Sequence, residues 1–526
     1  MADESQVTPS AFVCEGGLIA NRSTFIMQPG QALQLENFEP DIEGGYRRIN
    51  GYQKHVKHVV PYTTSSDEEV LLVTTFANRV IAARGEKIWS SATTSLGTSS
   101  SNAIASGTAM TGSGTITVVS TTGFNTSGTL QIDDEQFTYT GVTATTFTGV
   151  TRAVNSTTAA THSATSDASR TVVSETWTVR DTGRTSATKY SLERFNYDGN
   201  SKLLLVDGVN APVVFNSSLA ATDVSASSVA GASIVTSFRE HMFYAGMSAT
   251  PQEVVFSQPF DEDAFSSGAG AGSFKVDDTI VGLKVFRDDL FVFCENRIFK
   301  LSGSSSANFA VSSVTRDIGC INGNTIQEFA GDLIFLGPDG LRTVAGTAKI
   351  GDVELGTISS NVQSLFDENI SNASVFDSVV IPQKTQYRLF FSKTAGSASL
   401  TEGLICVLKN SGQGTAYEFA RIKGIKPSCT DTFITSGDVL VLHGGFDGYV
   451  YRQEEGITFD GASINGKYRS PDLTFNDPGI RKHMQRVIVN YKPESVIDAD
   501  LFLRYDYESS DSSRPAAYPL DSEDIA

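Results

Sequence analysis

The runs Leu290–Cys294 (LFVFC) and Arg297–Leu301 (RIFKL), separated by Glu295-Asn296, carry the clearest structural signal in the chain. Two short runs rich in apolar, aromatic and β-branched residues joined by a two-residue polar turn are typical of a β-hairpin. A single hairpin is marginally stable in water and has to pack against neighbours. This stretch therefore predicts a fold in which several such hairpins pack together.

Similar pairs of runs recur along most of the chain. They lie at Val70–Phe76 with Arg79–Ala83 and Lys87–Ser90, Leu203–Asp207 with Ala211–Phe215, His241–Ala245 with Glu253–Ser257, Asp332–Leu336 with Gly340–Ala345, Gln386–Ser392 with Gly403–Leu408, and Asp438–His443 with Gly448–Arg452. Hairpins that return at roughly 40–50-residue intervals are typical of a β-propeller, whose blades are small antiparallel sheets. Because the intervals are irregular, an array of β-sandwiches remains the alternative.

Two stretches interrupt this series. One is rich in Ser and Thr but contains strand-like runs at Gly114–Ser120, Gly128–Asp133, Glu135–Gly141 and Phe147–Arg152. Their apolar side chains can line one small core, which predicts a separate all-β insertion domain. The other is Ser360–Ile370, the best helix candidate, with Ser360 as its cap and apolar residues at helical spacing.

The predicted fold class is mainly β, with a β-propeller core, a small all-β insertion domain and a C-terminal β-module. Near the C-terminus, the alternating runs Arg486–Tyr491 and Ala499–Tyr507 are predicted to be strands. The expected division is 1–69 for an N-terminal segment that joins the propeller, 70–95 for the first propeller strands, 96–169 for the insertion domain, 170–455 for the remaining blades, and 456–526 for a closing β-module and tail.

The composition and net charge of the chain limit the classes of function that it can have. The 526 residues carry a net charge of −19, are 40% hydrophobic and only 19% charged. The hydrophobic fraction is sufficient for a sizeable core, and the acidic balance excludes a basic surface that reads nucleic acid over the whole molecule. No secretory signal or membrane-spanning run is expected, and the five widely spaced cysteines fit buried thiols in a reducing compartment. We therefore expect synthesis in a cytoplasm.

No motif for catalysis stands out. The chain lacks G-x-S-x-G, H-E-x-x-H, a Walker-type loop and C-x-x-C, and its six histidines are scattered. Carboxylates cluster at Asp261-Glu262-Asp263, Asp277-Asp278, Asp288-Asp289 and Asp133-Asp134-Glu135. These residues could be Ca²⁺ ligands or a glycosidase pair, but solvated loop carboxylates are the simpler interpretation. The expectation is a protein that is not an enzyme and holds no cofactor or metal.

Two basic spots stand out against the acidic background, namely Arg47-Arg48 and Arg481-Lys482. One interpretation is that they are ordinary exposed charges. The other is that Arg47, Arg48, Arg481 and Lys482 contact an acidic neighbouring subunit, which suits a chain that must assemble with itself despite its charge. Both interpretations remain open at this point.

Three segments resemble the tail nozzle proteins, also called hub or tail tubular proteins, of short-tailed bacteriophages. The resembling residues are Gln31–Leu33, Glu36–Pro40 and Gly44–Tyr52 near the start, Met242–Gly246, Val254–Ser257 and Phe265 in the middle, and Tyr468–Pro471, Asp477-Pro478 and Lys482 towards the end. The Ser/Thr-rich insertion is similar to a small β-module found in phage structural proteins, through Gly128–Leu130, Ile132-Asp133, Glu135, Tyr139–Gly141 and Phe147–Arg152.

The resemblance implies a structural subunit of the virion tail. Such a subunit forms a homohexameric ring that continues the DNA channel below the adaptor ring and gates or conducts genome ejection, with tail fibres docked at its junctions. Implied partners are further copies of the chain, the adaptor, the fibres, DNA in transit and the host cell surface. The alternatives are a receptor- or glycan-binding propeller of the tail tip, and an adaptor or stopper protein of a phage tail.

The resemblance suggests a role for the negative charge in the passage of DNA. Carboxylates on the wall of a channel repel phosphates and let a duplex pass without being held. The candidate channel-lining residues are Asp261, Glu262, Asp263, Asp288 and Asp289. We expect DNA to be a partner in transit, bound without sequence specificity.

Overall fold

The computed structural model describes residues 9–41, 43–62, 69–91, 101–103, 109–110, 114–163, 171–173, 177–185, 189–344, 357–373, 375–392, 401–411, 414–435, 438–475, 479–480, 482–493, 498–505 and 517–520. Strands dominate, which confirms the prediction of a mainly β fold. Within these ranges no helix is long and apolar enough to cross a membrane.

Four short strands open the chain, and the first hairpins and the Ser/Thr-rich stretch follow them. These strands are β1 (Gln34–Glu36), β2 (Phe38–Pro40), β3 (Tyr46–Arg48), β4 (Tyr52–Lys54), β5 (Leu72–Phe76), β6 (Arg79–Arg84), β7 (Lys87–Ser90), β8 (Ser101–Ala103), β9 (Ala109–Met110), β10 (Gly114–Thr117), β11 (Gly128–Ile132), β12 (Glu135–Tyr139), β13 (Gly141–Val142), β14 (Thr146–Val150), β15 (His162–Ser163) and β16 (Thr171–Val173).

The middle of the chain is a regular succession of antiparallel strands. They are β17 (Thr178–Asp181), β18 (Ser191–Phe195), β19 (Lys202–Val206), β20 (Val213–Phe215), β21 (Ala221–Asp223), β22 (Ile234–Phe238), β23 (His241–Ala245), β24 (Glu253–Phe256), β25 (Gly272–Lys275), β26 (Ile280–Phe286), β27 (Asp289–Cys294), β28 (Ile298–Ser302), β29 (Ala310–Thr315), β30 (Gln327–Phe329), β31 (Asp332–Gly337) and β32 (Gly340–Thr343).

Longer strands and short closing ones make up the last part. They are β33 (Val375–Ile381), β34 (Gln386–Ser392), β35 (Thr401–Ser411), β36 (Gly414–Ile422), β37 (Pro427–Thr435), β38 (Asp438–Gly445), β39 (Val450–Gln453), β40 (Thr458–Phe459), β41 (Ala462–Ser463), β42 (Lys467–Arg469), β43 (Asp500–Leu501) and β44 (Tyr518–Pro519). The strand prediction for Arg486–Tyr491 is wrong, since this segment belongs to no strand among the described residues.

Helices are short. The α-helix α1 spans Gln363–Asn372, directly after a 3₁₀ turn at Ser360–Val362, so the predicted helix is confirmed. Ser360 does not cap the helix as predicted, because it lies inside the 3₁₀ turn, whose N-cap is Ser359, and the N-cap position of α1 is Val362. Further 3₁₀ turns lie at Thr24–Ile26, Ser227–Val229, Ser267–Ala269, Gly323–Thr325 and Pro382–Lys384.

Seven of the described sheets share one plan, in which a leading strand at one edge is followed by its hairpin partners. We number them sheet 1 (β5-β6-β7-β17), sheet 2 (β18-β19-β20-β21), sheet 3 (β22-β23-β24-β25), sheet 4 (β26-β27-β28-β29), sheet 5 (β30-β31-β32), sheet 6 (β33-β34-β35-β36-β1-β42) and sheet 7 (β37-β38-β39-β4-β40-β41). The opening hairpin forms as predicted, with Leu290 opposite Leu301 in sheet 4.

The hydrophobic core lies between successive sheets. Leu72 of sheet 1 packs in one cluster with Phe215 of sheet 2. Apolar side chains of each further pair of consecutive sheets, from sheets 2 and 3 to sheets 6 and 7, also share a cluster. Sheets 7 and 1 are also in contact, because Leu442 of sheet 7 shares a cluster with Val73 of sheet 1 and the fully buried Trp89. Each sheet therefore buries its apolar side chains against both neighbours.

The N-terminal strands complete the last two sheets. β1 pairs with β36 and β42 in sheet 6, and β4 pairs with β39 and β40 in sheet 7. Gly51 allows the approach to sheet 7, because a Cβ at this position would lie 1.9 Å from the carbonyl oxygen of Thr458. Strand pairing thereby joins residues 34–54 to strands that lie between residues 414 and 469. The proposed division into five parts stays a prediction.

Candidate functional site

Three leading strands from different sheets meet at one carboxylate. Asp431 of β37 accepts a hydrogen bond from the Thr74 hydroxyl of β5 (2.6 Å) and lies 2.5 Å from the Arg194 guanidinium of β18. Arg194 also donates from Nε to the carbonyl oxygen of Thr75 (3.3 Å). Because both charges are largely shielded from water, the contact is stronger than a surface ion pair. It fixes sheets 1, 2 and 7 relative to one another.

A second polar junction lies on β33 of sheet 6. The carbonyl oxygen of Ser378 accepts hydrogen bonds from Gln327 of β30 (3.1 Å) and Thr430 of β37 (3.0 Å). The adjacent Asp377 lies 2.9 Å from Lys189 Nζ. Burial raises the pKa of Asp377, although the ammonium group of Lys189 opposes this change. The leading strands therefore meet through polar and charged side chains, while the apolar contacts lie between the sheet faces.

A buried ionic network holds the N-terminal segment, and we call it the clasp. It contains Glu39 of β2, Lys384, Arg388 of β34 and Glu454. Lys384 Nζ lies 2.6 Å from Glu39 and 2.5 Å from Glu454, and Arg388 Nη2 lies 2.5 Å from Glu454. Gln386 Nε2 donates to Glu39 (3.0 Å). The Arg388 side chain is completely buried, so each charge in the clasp depends on the others.

The clasp perturbs one carboxyl group strongly. Burial alone would raise the pKa of Glu454, but the positive charges of Arg388 and Lys384 outweigh it and hold this pKa at about 2. Sequence reasoning missed the clasp because Glu39 is 345 residues away from Lys384, and Glu454 is 66 residues beyond Arg388. The available signal was Arg388, the one charged residue in the predicted strand Gln386–Ser392.

The insertion contains its own buried polar cluster. Glu135 receives the Arg152 guanidinium through two hydrogen bonds, 2.9 Å from Nε and 2.6 Å from Nη2. His162 lies between two carboxylates, 2.8 Å from Asp133 and 2.9 Å from Glu135. Burial works against ionisation of Glu135, yet the hydrogen bonds from Arg152, Ala160 and His162 lower its pKa.

The arrangement of this cluster is that of an ion-pair network. In the part of the chain that the structure covers, no group of three or more His, Cys, Asp or Glu side chains is arranged to hold a metal ion. The guanidinium of Arg152 occupies the position opposite Glu135 that a cation would need. The cluster instead joins β12, β15 and the segment after β14, so its evident role is to hold the insertion together.

The insertion packs against sheet 1 through polar contacts. Arg84 of β6 lies 3.0 Å from Asp134 and donates to the carbonyl oxygen of Val60 (2.6 Å). Gln131 donates to the carbonyl oxygen of Val59 (2.8 Å), and Gln136 donates to that of Trp177 (2.8 Å). Partial burial raises the pKa of Asp134 to about 6, against the effect of Arg84.

The predicted acidic residues divide into exposed and paired ones. Asp261, Asp263 and Asp288 are exposed, the last at 93% of its side chain. Glu262 is buried and lies 2.5 Å from Lys202 Nζ, and Asp289 lies 2.8 Å from Lys300 Nζ. The negative charges of Glu262 and Asp289 are therefore largely compensated within the subunit.

The exposed acidic residues lie at one end of sheets 3 and 4. The hairpin Arg239-Glu240 between β22 and β23 contacts both groups: the amide of Phe260 donates to the carbonyl oxygen of Glu240 (2.7 Å), and Arg239 lies 3.4 Å from Asp288. The structure thus brings together two acidic loops that are separated by 25 residues in the sequence.

The predicted basic residues lie on different parts of the chain. Arg47 is exposed and Arg48 half-buried on β3, where Arg47 is opposite Glu39 of the clasp. Lys482 is exposed and begins the extended segment 482–493. Arg481 lies outside the described residues.

Comparisons with known proteins identify no family for this chain. No protein-family model and no curated protein matches the sequence. Similar solved structures include the extracellular domain of a putative one-component system from B. thetaiotaomicron (TM-score 0.37, 7% identity, 78% of this chain and 40% of that chain). Others are the N-terminal domain of Nup159 (TM-score 0.29, 10% identity, 51% and 89%) and Kluyveromyces lactis Hsv2p (TM-score 0.28, 7% identity, 67% and 97%). Such distant similarity carries no functional argument.

Proposed function

We propose that sheets 1 to 7 are the blades of a β-propeller closed by the N-terminal strands. Support comes from the apolar clusters between successive sheets and from the shared cluster of sheets 7 and 1. The bridge from Asp431 to Thr74 and Arg194 adds a polar link between the last sheet and the first two. Closure of this kind protects sheet edges at the centre of the molecule.

The proposed function is that of a structural subunit of a phage tail nozzle, located in the virion tail and without enzymatic activity. Copies of the chain form a ring, a hexamer by the family resemblance, that continues the DNA channel below the adaptor and conducts or gates genome ejection. Tail fibres and the host surface are further proposed partners. The observation that carries this proposal is the grouping of exposed Asp261, Asp263 and Asp288 at one end of sheets 3 and 4.

The physical reason is electrostatic. A wall that guides DNA has to repel phosphates, and highly exposed carboxylates can do so, even though Asp288 lies 3.4 Å from Arg239. Glu262 and Asp289, in contrast, lie within 2.5 Å and 2.8 Å of lysine ammonium groups in the same subunit. We assign the channel-lining role to Asp261, Asp263 and Asp288. Glu262 and Asp289 stabilise the fold of the subunit through their lysine partners. The role of Arg47, Arg48, Arg481 and Lys482 at subunit contacts remains part of the proposal.

Negative-stain imaging of the purified protein tests the ring. The expected result is a rotationally symmetric ring with a central hole wide enough for duplex DNA. A compact particle of about 56 kDa at all concentrations would contradict the proposal. It would favour a free receptor-binding protein instead.

A further inference from the structure

A cavity lies where the turn that connects sheet 2 to sheet 3 meets the last two strands of sheet 3. Its volume is about 570 Å³, within the range of roughly 300–1,000 Å³ that is usual for small-molecule sites. The 3₁₀ turns Ser227–Val229 and Ser267–Ala269 contribute to its lining, together with residues of β24 and β25. None of the contacts described so far uses this cavity.

Apolar side chains form the floor of the cavity. Met247 and Val255 are buried in the cluster between sheets 2 and 3, and Phe265 packs against this cluster. The ring of Phe265 lies 5.8 Å from the ring of Tyr244, whose hydroxyl donates to the carbonyl oxygen of Glu262 (2.8 Å). The floor is therefore held in place by the core and is formed before any ligand enters.

The polar part of the lining consists mostly of hydroxyl groups. They belong to Ser227, Ser228, Thr250, Ser267 and Ser273. The Ser273 hydroxyl donates to Glu253 (2.9 Å), whereas the other four hydroxyls form no hydrogen bond within the described residues. Because a hydroxyl can both donate and accept a hydrogen bond, these four groups can bind the hydroxyls of a ligand in either direction.

Charge narrows the class of ligand. Among the described residues that line the cavity, Glu253 is the only charged one, and its side chain is 18% exposed. The ammonium group of Lys275, outside the lining, lies 3.7 Å from this carboxylate and balances its charge. A phosphate or carboxylate ligand would meet no arginine or lysine in the lining. Hydrolysis of a glycosidic bond would need a second carboxylate, so the lining suits the binding of a neutral ligand without its cleavage.

We propose that this cavity binds a neutral saccharide. The C–H face of a sugar ring would pack on Met247, Val255 and Phe265, and its hydroxyls would bond to the free serine and threonine hydroxyls. A purely apolar ligand would instead cover these hydroxyls and leave them without partners, which is costly. The inference needs only the structure of sheets 2 and 3 and does not depend on the ring. It gives the chain a means of contact with glycans, such as those of a cell surface.

Saturation-transfer NMR on the full chain tests the proposal with glucose, galactose and N-acetylglucosamine as neutral probes and galacturonate as the anionic comparison. The variant Ser228→Trp places an indole at an exposed residue of the lining, and Thr250→Val removes one hydroxyl with little change of shape. The matched control is Ser217→Trp, at an exposed serine of the hairpin between β20 and β21, at the opposite end of β21 from the cavity. Thermal unfolding checks that all variants are folded.

We expect transfer to at least one neutral sugar with the wild type and with Ser217→Trp. Transfer should be lost with Ser228→Trp, and Thr250→Val should weaken the affinity about tenfold, since one hydrogen bond is removed. If Ser228→Trp is unfolded, the affinity of Thr250→Val decides.

Three results would overturn the inference. They are no transfer to any neutral sugar with the wild type, equal transfer with folded Ser228→Trp, and stronger binding of galacturonate than of the neutral sugars. A ring in negative stain without sugar binding would leave the proposed nozzle function standing, and sugar binding by a monomer would leave the cavity assignment standing.

Discussion

Arg388 and Glu454 form an ion pair of 2.5 Å between Nη2 and Oε1 in which the guanidinium is fully buried. The pair joins β34 of sheet 6 to the end of β39 in sheet 7, and Glu39 brings the N-terminal segment to the same point. Ion pairs in such surroundings contribute little net stability over apolar residues, but removal of one partner leaves an uncompensated buried charge. The clasp is therefore a sensitive point of the fold.

Replacement of Arg388 by methionine is expected to destabilise the protein by about 3–5 kcal/mol, because Glu39 and Glu454 would remain buried with only Lys384 between them. Urea unfolding followed by tryptophan fluorescence measures the loss. The matched control is Arg452→Met, whose partners Asp438 and Glu455 are 60% and 33% exposed, and we expect it to cost less than about 1 kcal/mol. Equal effects of the two substitutions would contradict the importance of the clasp.

The lowered pKa of Glu454 predicts a loss of stability in acid. Its folded value of about 2 lies below the ordinary value of 4.5, so its contribution is fully present above pH 4.5 and disappears as the pH falls towards 2. The free energy of unfolding, measured between pH 6 and pH 2.5, should fall more steeply for the wild type than for Glu454→Gln. Parallel curves would show that this carboxyl group is not held ionised.

The pKa of Asp134 is shifted in the opposite direction, so its effect on stability has the opposite dependence on pH. Its folded pKa of about 6 lies above the ordinary value of 3.8, so its contribution to stability is present below pH 3.8 and is lost as the pH rises through 6. Relative to Asp134→Asn, the wild type should therefore lose thermal stability between pH 4 and pH 7. Asn keeps an oxygen that can accept the hydrogen bond from Arg84, so the comparison isolates the charge. A difference between the two proteins that does not depend on pH would contradict the assignment.

Any side chain at position 51 is expected to lower the stability of the fold. A Cβ at this position would lie 1.9 Å from the carbonyl oxygen of Thr458, where β4 enters sheet 7. We expect Gly51→Ala to destabilise the protein by about 1–3 kcal/mol, as overpacking does in well-packed cores. The control is Gly268→Ala, where nothing lies within 4 Å of the added atom. Chemical unfolding of both variants measures the difference, and equal stabilities would refute the close approach.

Neutralisation of the exposed acidic residues should slow genome ejection. In particles that carry Asp261→Asn, Asp263→Asn and Asp288→Asn together, phosphates would no longer be repelled at the proposed wall, and DNA release should be slower while assembly is unchanged. The amides can still accept the hydrogen bonds that Asp261 and Asp263 receive from backbone amides. A rate of DNA release equal to that of the wild type would contradict the proposed lining.

Glu86→Gln provides the control for this experiment. Glu86 is exposed in the hairpin between β6 and β7, away from the acidic loops of sheets 3 and 4. The substitution removes one charge without touching the proposed wall. If Glu86→Gln slowed release as much as the triple substitution, the effect would belong to net charge and not to the channel.

Local patterns predicted local structure well. The hairpin at Leu290–Leu301 and the helix at Ser360–Ile370 were visible because their signals lie within one short window of sequence. The segment Arg486–Tyr491 shows the limit of this reasoning. It has a strand pattern, yet a strand exists only with a partner at its edge, and no described part of the same chain supplies one.

By itself the sequence determined that the chain is mainly β, built from short hairpins with an acidic, Ser/Thr-rich character, because alternation and turn residues act over a few positions. Only the tertiary structure decided which charges compensate each other. Glu262 and Asp289 are paired, Asp261, Asp263 and Asp288 are exposed, and Arg388 is buried in the clasp. The reason is physical: burial and ion pairing depend on residues that are distant along the chain and become neighbours only after the sheets have packed.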